Sequence, residues 1–233
     1  MKHRNKAIAL ALLLIGLLTP SGHTAQAQTP LIDSLFATAP TSELPLLEFN
    51  SRLDMLDLYN YKMTAKGETR FGKYAYLENK TDHSLHIRLT GASTWQLMRL
   101  EAPGSPERLL CLHSLTGSVA QTTVHLYDTT WQPDTATVLP TFTLKDFTTE
   151  ADSIDEDTEA DMQRLLSVRH LVVACETAEA GRSVVRISLP TQHLGLENRK
   201  RLEPHLHDLL LTWDGRRFVH PQAVARKEEP HKF

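Results

Sequence analysis

The chain has 233 residues, 41% hydrophobic and 23% charged, with 6% aromatics and two cysteines. This is the composition of a globular protein with a real core, and it excludes disordered, collagen-like and disulfide-stapled classes. Two cysteines cannot build a cysteine-rich zinc site or an iron–sulfur cluster, and a formal net charge of -3 lacks the basic excess of a nucleic-acid binder.

The first 27 residues read as a cleaved export signal. Lys2, His3, Arg4 and Lys6 form a positive start, residues 7–18 are apolar apart from Gly16, and Ala25-Gln26-Ala27 has the small-x-small form cut by a signal peptidase. An apolar run of this length is too short for a hydrocarbon core about 30 Å thick, so the expected mature N-terminus is Gln28. No cysteine follows the run to carry a lipid anchor, and no later segment approaches a transmembrane span. The expected location is the periplasm or the extracellular medium. Cleavage removes three of the 25 basic residues and none of the 28 acidic ones, leaving a net charge of −6 that argues against nucleic-acid partners and anionic membranes.

Downstream, Thr29-Pro30 opens a helix with Leu31, Ile32, Leu35 and Phe36 on one face, closed by Pro40. Ser42 is placed to cap a second short helix carrying Leu44, Leu46 and Leu47. Ser51 and Asp54 have capping-box spacing ahead of a third, with Leu53, Leu56, Tyr59 and Met63 as its apolar stripe. From Phe71 the period becomes two, predicting strands at 73–78, 84–90, 94–101, 107–114, 121–127 and 141–147. Their short Gly-, Pro- and Asn-containing connections predict an antiparallel meander.

Seven acidic residues fall between Glu150 and Asp161. A calcium loop started at Asp155 would put Ala160 at the glycine position and Leu166 at the bidentate-glutamate position, so it fails. A linker into a helix through Met162, Leu165 and Leu166, with Ser153 and Glu156 as a capping box, fits instead. Strands at 168–175 and 183–189 follow, turning at Ala180-Gly181, then a helix at 196–206. A closing hairpin buries Leu209, Leu211 and Trp213, turns at Asp214-Gly215 and returns through Phe218. The expected class is α+β: signal at 1–27, short helices plus meander at 28–149, a smaller helix-and-antiparallel-strand lobe at 150–225 packed on the first, and a frayed tail at 226–233.

Motifs that carry chemistry are sparse. Of twelve histidines, His83 and His86, His113 and His125, and His205 and His207 lie on or near predicted elements, but no HExxH-like set appears and surface residues explain them, so no metal ligand is assigned. GxSxG, SxxK, GxxxxGK[ST] and GxGxxG are absent, so no catalytic or cofactor-binding residue is assigned and no cofactor is expected. Arg199-Lys200-Arg201 and Arg216-Arg217 read as solvated surface. Trp95, Trp131 and Trp213 would suit a sugar platform, though Trp213 is more simply core. Cys111 and Cys175 fit either a disulfide allowed by an oxidising compartment or two small core residues.

Pro45-Leu46-Leu47 running into Asn50-Ser51-Arg52-Leu53-Asp54, Tyr127-Asp128-Thr129-Thr130-Trp131, and Leu211-Thr212-Trp213-Asp214-Gly215 resemble a family of exported Bacteroidetes proteins of unknown function. The resemblance implies export from a bacterium with an outer membrane and carries over no activity. The expected function is a non-catalytic binding or interaction module of the cell envelope, its partner another envelope protein or a cell-surface component. The alternative is a periplasmic hydrolase whose site forms only in three dimensions.

Overall fold

A computed structural model describes residues 31–117, 119–149, 154–177 and 182–227. The expected signal, the Thr29-Pro30 start, Ser153, the Ala180-Gly181 turn and the tail beyond Lys227 lie outside them.

Helix α1 (Ile32–Thr38) buries Ile32, Leu35 and Phe36 as its spacing predicts, whereas Leu31, just outside it, is exposed. Residues 41–47 do not form the expected second helix. Glu43 and Leu44 donate their amides back to the Pro40 carbonyl, making a turn pinned by buried Leu44 and Leu47. Helix α2 (Phe49–Asn60) begins earlier than expected, because Ser51 does not cap it and instead donates its hydroxyl to the Glu68 carbonyl. Its buried side is Arg52, Met55 and Leu56; Leu53 faces out, and Met63, beyond the end of the helix, is exposed. Burial follows the neighbours α2 packs against, which local periodicity does not record.

Seven strands then form an antiparallel meander in sequence order: β1 (Lys66–Glu68), β2 (Tyr74–Lys80), β3 (Ser84–Thr90), β4 (Ser93–Leu100), β5 (Arg108–Thr116), β6 (Ala120–Asp128) and β7 (Pro133–Asp134). The two short edge strands β1 and β7 carry too few residues for a periodic signal. The expected strand at 141–147 is a 3-10 turn, Leu144–Phe147, because Thr143 and Asp146 form a capping box there. Helix α3 (Glu156–Leu165) is capped by Asp155, which accepts from the Thr158 amide. The second sheet has the order β11-β10-β9-β8, from β8 (Val172–Thr177), β9 (Ser183–Ser188), β10 (Asp208–Trp213) and β11 (Phe218–Val224). β8 starts later than expected, after a turn closed by the His170 amide on Ser167. Helix α4 (Leu196–Leu202) continues into a 3-10 turn, Glu203–His205. The class is α+β. Among the described residues no helix is long and apolar enough to cross a membrane.

The first sheet is covered on both faces, which explains the unbroken apolar run at 109–112 of β5. Leu110 and Leu112 face the second sheet and share a core with Val185, Ile187, Leu211 and Trp213. Leu109 and Cys111 face the helical segment with Phe36, Leu44 and Trp95. The outer edge of β8 rests on the first sheet, where the Val173 and Cys175 amides donate to Thr122 Oγ1 and Gln96 Oε1. The two cysteines consequently sit in different layers, and both are free. Thiol titration of the denatured, unreduced protein is expected to find two free thiols; none would overturn this arrangement.

The closing hairpin keeps Leu209, Leu211 and Trp213 buried as expected, but its turn sits one residue later. Asp214 and Arg217 close it through the Asp214 amide, and the Asp214 carboxylate accepts from the amides of Arg216 and Arg217. Gly215 has φ +103°, and a Cβ there would lie 2.3 Å from Ser105 Oγ. Gly215→Val should therefore destabilise by about 2–4 kcal/mol, backbone strain and overpacking together. A chemical denaturation midpoint equal to wild type would show that the turn rearranges freely.

Candidate functional site

A buried carboxylate lies between the helical segment and the first sheet. The turn after α1 delivers Glu43, 1% exposed, onto β4, β5 and β6. That turn is held from α2 by buried Arg52, whose guanidinium donates to the carbonyls of Phe36 (3.2 Å), which also accepts from the Ala39 amide, and Ala39 (2.5 Å) at the end of α1.

Four donors converge on Glu43. Oε1 accepts from the Tyr127 hydroxyl (2.5 Å) and meets His125 Nδ1 at 2.7 Å. Oε2 meets His113 Nε2 at 2.8 Å and accepts from Trp95 Nε1 at 3.3 Å. Strand register explains the convergence. Trp95 pairs with His113 across β4 and β5, Cys111 with His125 and Leu109 with Tyr127 across β5 and β6, so all of these side chains share one face. Rings of Phe36, Trp95, His113, His125, Tyr127 and Trp131 follow one another at centroid separations of 5.4 to 6.5 Å. Trp131, at φ +64°, ends the row; Asp128 holds its turn by accepting from the amides of Thr130 and Gln132.

The electrostatics follow from these contacts. Burial raises the Glu43 pKa, but the bonds from His113, Tyr127 and His125 and the attraction of His113 outweigh it, bringing it from 4.5 to about 2. Glu43 is thus ionised at any physiological pH. Burial first, and then the carboxylate, push Tyr127 and Cys111 above their usual ranges and keep both protonated. The His125 side chain is 43% exposed, and a recess of about 260 Å³ runs along the outer edge of β6, lined by His125 and Tyr127 and by Val124, Leu126 and Val138 of the other core, with neither Glu43 nor His113 in its wall. One ligand atom each from Glu43, His113 and His125 can be chosen so that all lie within 4.8 Å of one another.

The other residues singled out from sequence are scattered. His83 pairs with Glu101, His86 with Glu78, and His207 meets the Asp146 carbonyl; His3, His23 and His231 lie outside the described residues. Arg201 pairs with Asp161. Trp95 and Trp213 belong to separate cores and form no common platform. Sequence reasoning missed Glu43 because its partners stand 52 to 84 residues away. The one available signal was that His113 and His125 occupy core-facing phases of their strands.

The fold and site define a two-sheet α+β protein with a helical flap clamped to its larger sheet by a buried glutamate. The chain belongs to the DUF3256 family of proteins of unknown function, whose model matches residues 24–218. It is similar to the solved structure of a domain of an uncharacterized protein from Porphyromonas gingivalis W83, with a TM-score of 0.64 and 18% identity, covering 82% of this chain and 98% of that one. No curated protein matches it.

Proposed function

We propose that the chain is an exported protein of the cell envelope that acts as a binding module, with the Glu43 cluster and its opening at His125 as the binding site. The observation that carries this reading is the convergence of an ionised carboxylate, two imidazoles and a phenol beside a recess. Such a preformed group of polar contacts, reached through His125 and Tyr127 at the edge of the recess, fixes a ligand without needing to reorganise. The positive start, apolar run and Ala25-Gln26-Ala27 support export. Among the described residues no hydroxyl or thiol hydrogen-bonds to either imidazole as an activated nucleophile would, and the Cys111 thiol is buried and protonated. A hydrolase is the second reading, favoured by the same convergence of a carboxylate with two imidazoles.

N-terminal sequencing of protein from cell fractions should find Gln28 first, in the envelope or medium; a chain retaining Met1 in the cytoplasm would overturn export. For binding, the mature protein is used as bait for envelope extracts beside His125→Ala. Capture that the variant loses supports the site, and equal capture by both removes it. Turnover of model ester or peptide substrates by wild type, lost in the variant, would select the hydrolase.

A further inference from the structure

We propose that Glu43, His113 and His125 bind a divalent first-row transition ion, with zinc as the best match. This inference rests on the reading of the cluster as a binding site and names its ligand. The donor set decides the class of ion. Two imidazole nitrogens and one carboxylate suit zinc and its neighbours, whereas calcium and magnesium seek cages of six or more oxygens.

The geometry is close to what such an ion needs. His113 Nε2 and His125 Nδ1 already stand 2.8 and 2.7 Å from the two oxygens of Glu43. Tetrahedral ligands at about 2.0–2.1 Å from zinc lie roughly 3.3 Å from one another. The contact to whichever Glu43 oxygen becomes the ligand therefore lengthens by about half an ångström on entry of the ion, and one donor atom from each of the three residues already lies within 4.8 Å of the others. Without the ion His113 Nε2 and His125 Nδ1 donate to Glu43, so its entry displaces both protons: each moves to the other ring nitrogen, Nδ1 of His113 and Nε2 of His125, or leaves to solvent where the ring starts protonated, and the freed lone pair goes to the ion. No oxidation is needed. Glu43 supplies the negative charge.

The surroundings support the ligands as those of a metal site do. Trp95 Nε1 and the Tyr127 hydroxyl remain on the outer lone pairs of the Glu43 carboxylate and fix its orientation. His113 and His125 stand on adjacent, hydrogen-bonded strands, so their backbones do not have to be ordered on binding. Half-exposed His125 provides the route of entry from solvent, and three protein ligands leave one position for water or a further ligand.

The test uses the mature chain without a histidine tag, freed of metal by chelation, with zinc, cobalt, calcium and magnesium salts as probes. One zinc per chain is expected by calorimetry and elemental analysis, together with the visible absorption of tetrahedral cobalt. Neither calcium nor magnesium should bind. His113→Ala and His125→Ala should each weaken zinc binding at least about 100-fold, beyond the 10–100-fold typical of losing a supporting group. His83→Ala, on the surface away from the cluster, should leave it unchanged. Because Glu43 variants are expected to be unstable, the half-exposed His125 carries the test, with its folding checked by circular dichroism. Absence of zinc binding to wild type, or binding indifferent to both histidine variants, overturns the proposal. If zinc fails while His125-dependent capture of an envelope component persists, the metal inference falls and the binding site stands. If both fail, the cluster is only a structural clamp.

Discussion

Glu43→Ala is expected to destabilise the protein by about 3–5 kcal/mol, because it removes the single acceptor that four donors share and leaves Trp95 Nε1–H in a fully buried position with no acceptor. Glu43→Gln should recover part of the loss. Its carbonyl accepts from two donors and a neutral imidazole can accept from its amide, but Trp95 can only donate. The carboxylate also fixes how stability depends on acid. Its folded pKa of about 2 lies below the unfolded value of 4.5, so its contribution is complete above pH 4.5 and fades as pH falls toward 2. Wild type should therefore lose stability across that window more steeply than Glu43→Gln. Urea unfolding of both proteins between pH 2 and 6 measures this, and parallel curves would mean that Glu43 does not titrate as its contacts require.

The same site shows where sequence reading reaches its limit. Strands β2 to β6 were legible because their apolar residues, at a two-residue period in β3 and in an unbroken run at 109–112 of β5, are bounded by turn residues, and their short connections left only an antiparallel order. The loss of register at the N-terminal segment has a physical cause: residues 41–47 look helical by composition, yet Pro40 and the burial of Leu44 and Leu47 favour a turn. That turn is what aims Glu43 at the sheet. A buried carboxylate cannot be told from a solvated one by its neighbours in sequence when its partners lie on three strands far along the chain. Two of the three short stretches behind the family resemblance nevertheless meet here: Arg52 anchors the turn, Tyr127 binds the carboxylate, and Trp131 packs on Tyr127 at 5.4 Å, while Leu211 and Trp213 of the third lie in the other core. Read singly they are fragments of a helix and a strand end. Folded, two of them hold one carboxylate in place, Tyr127 directly and Arg52 through the turn that carries it.

The closing hairpin, by contrast, was almost wholly legible, and it supports the other large expected effect. Trp213 is 6% exposed, packs on Phe218 at 5.3 Å and stands opposite it in the strand register. It fills the space between the second sheet and the buried face of β4 and β5, so Trp213→Ala should leave a cavity and cost about 3–5 kcal/mol. Its indole N–H, however, is buried without a hydrogen-bond partner among the described residues. Trp213→Phe removes that unpaired donor together with part of the ring, and the two changes oppose each other, so its expected cost is only about 1 kcal/mol. Thermal or urea unfolding of the two variants separates volume from polarity. Equal losses would mean that the indole N–H finds a partner in solution. An unchanged melting temperature for Trp213→Ala, with loss of capture in the envelope assay, would make Trp213 an exposed anchor for a partner and remove it from the core.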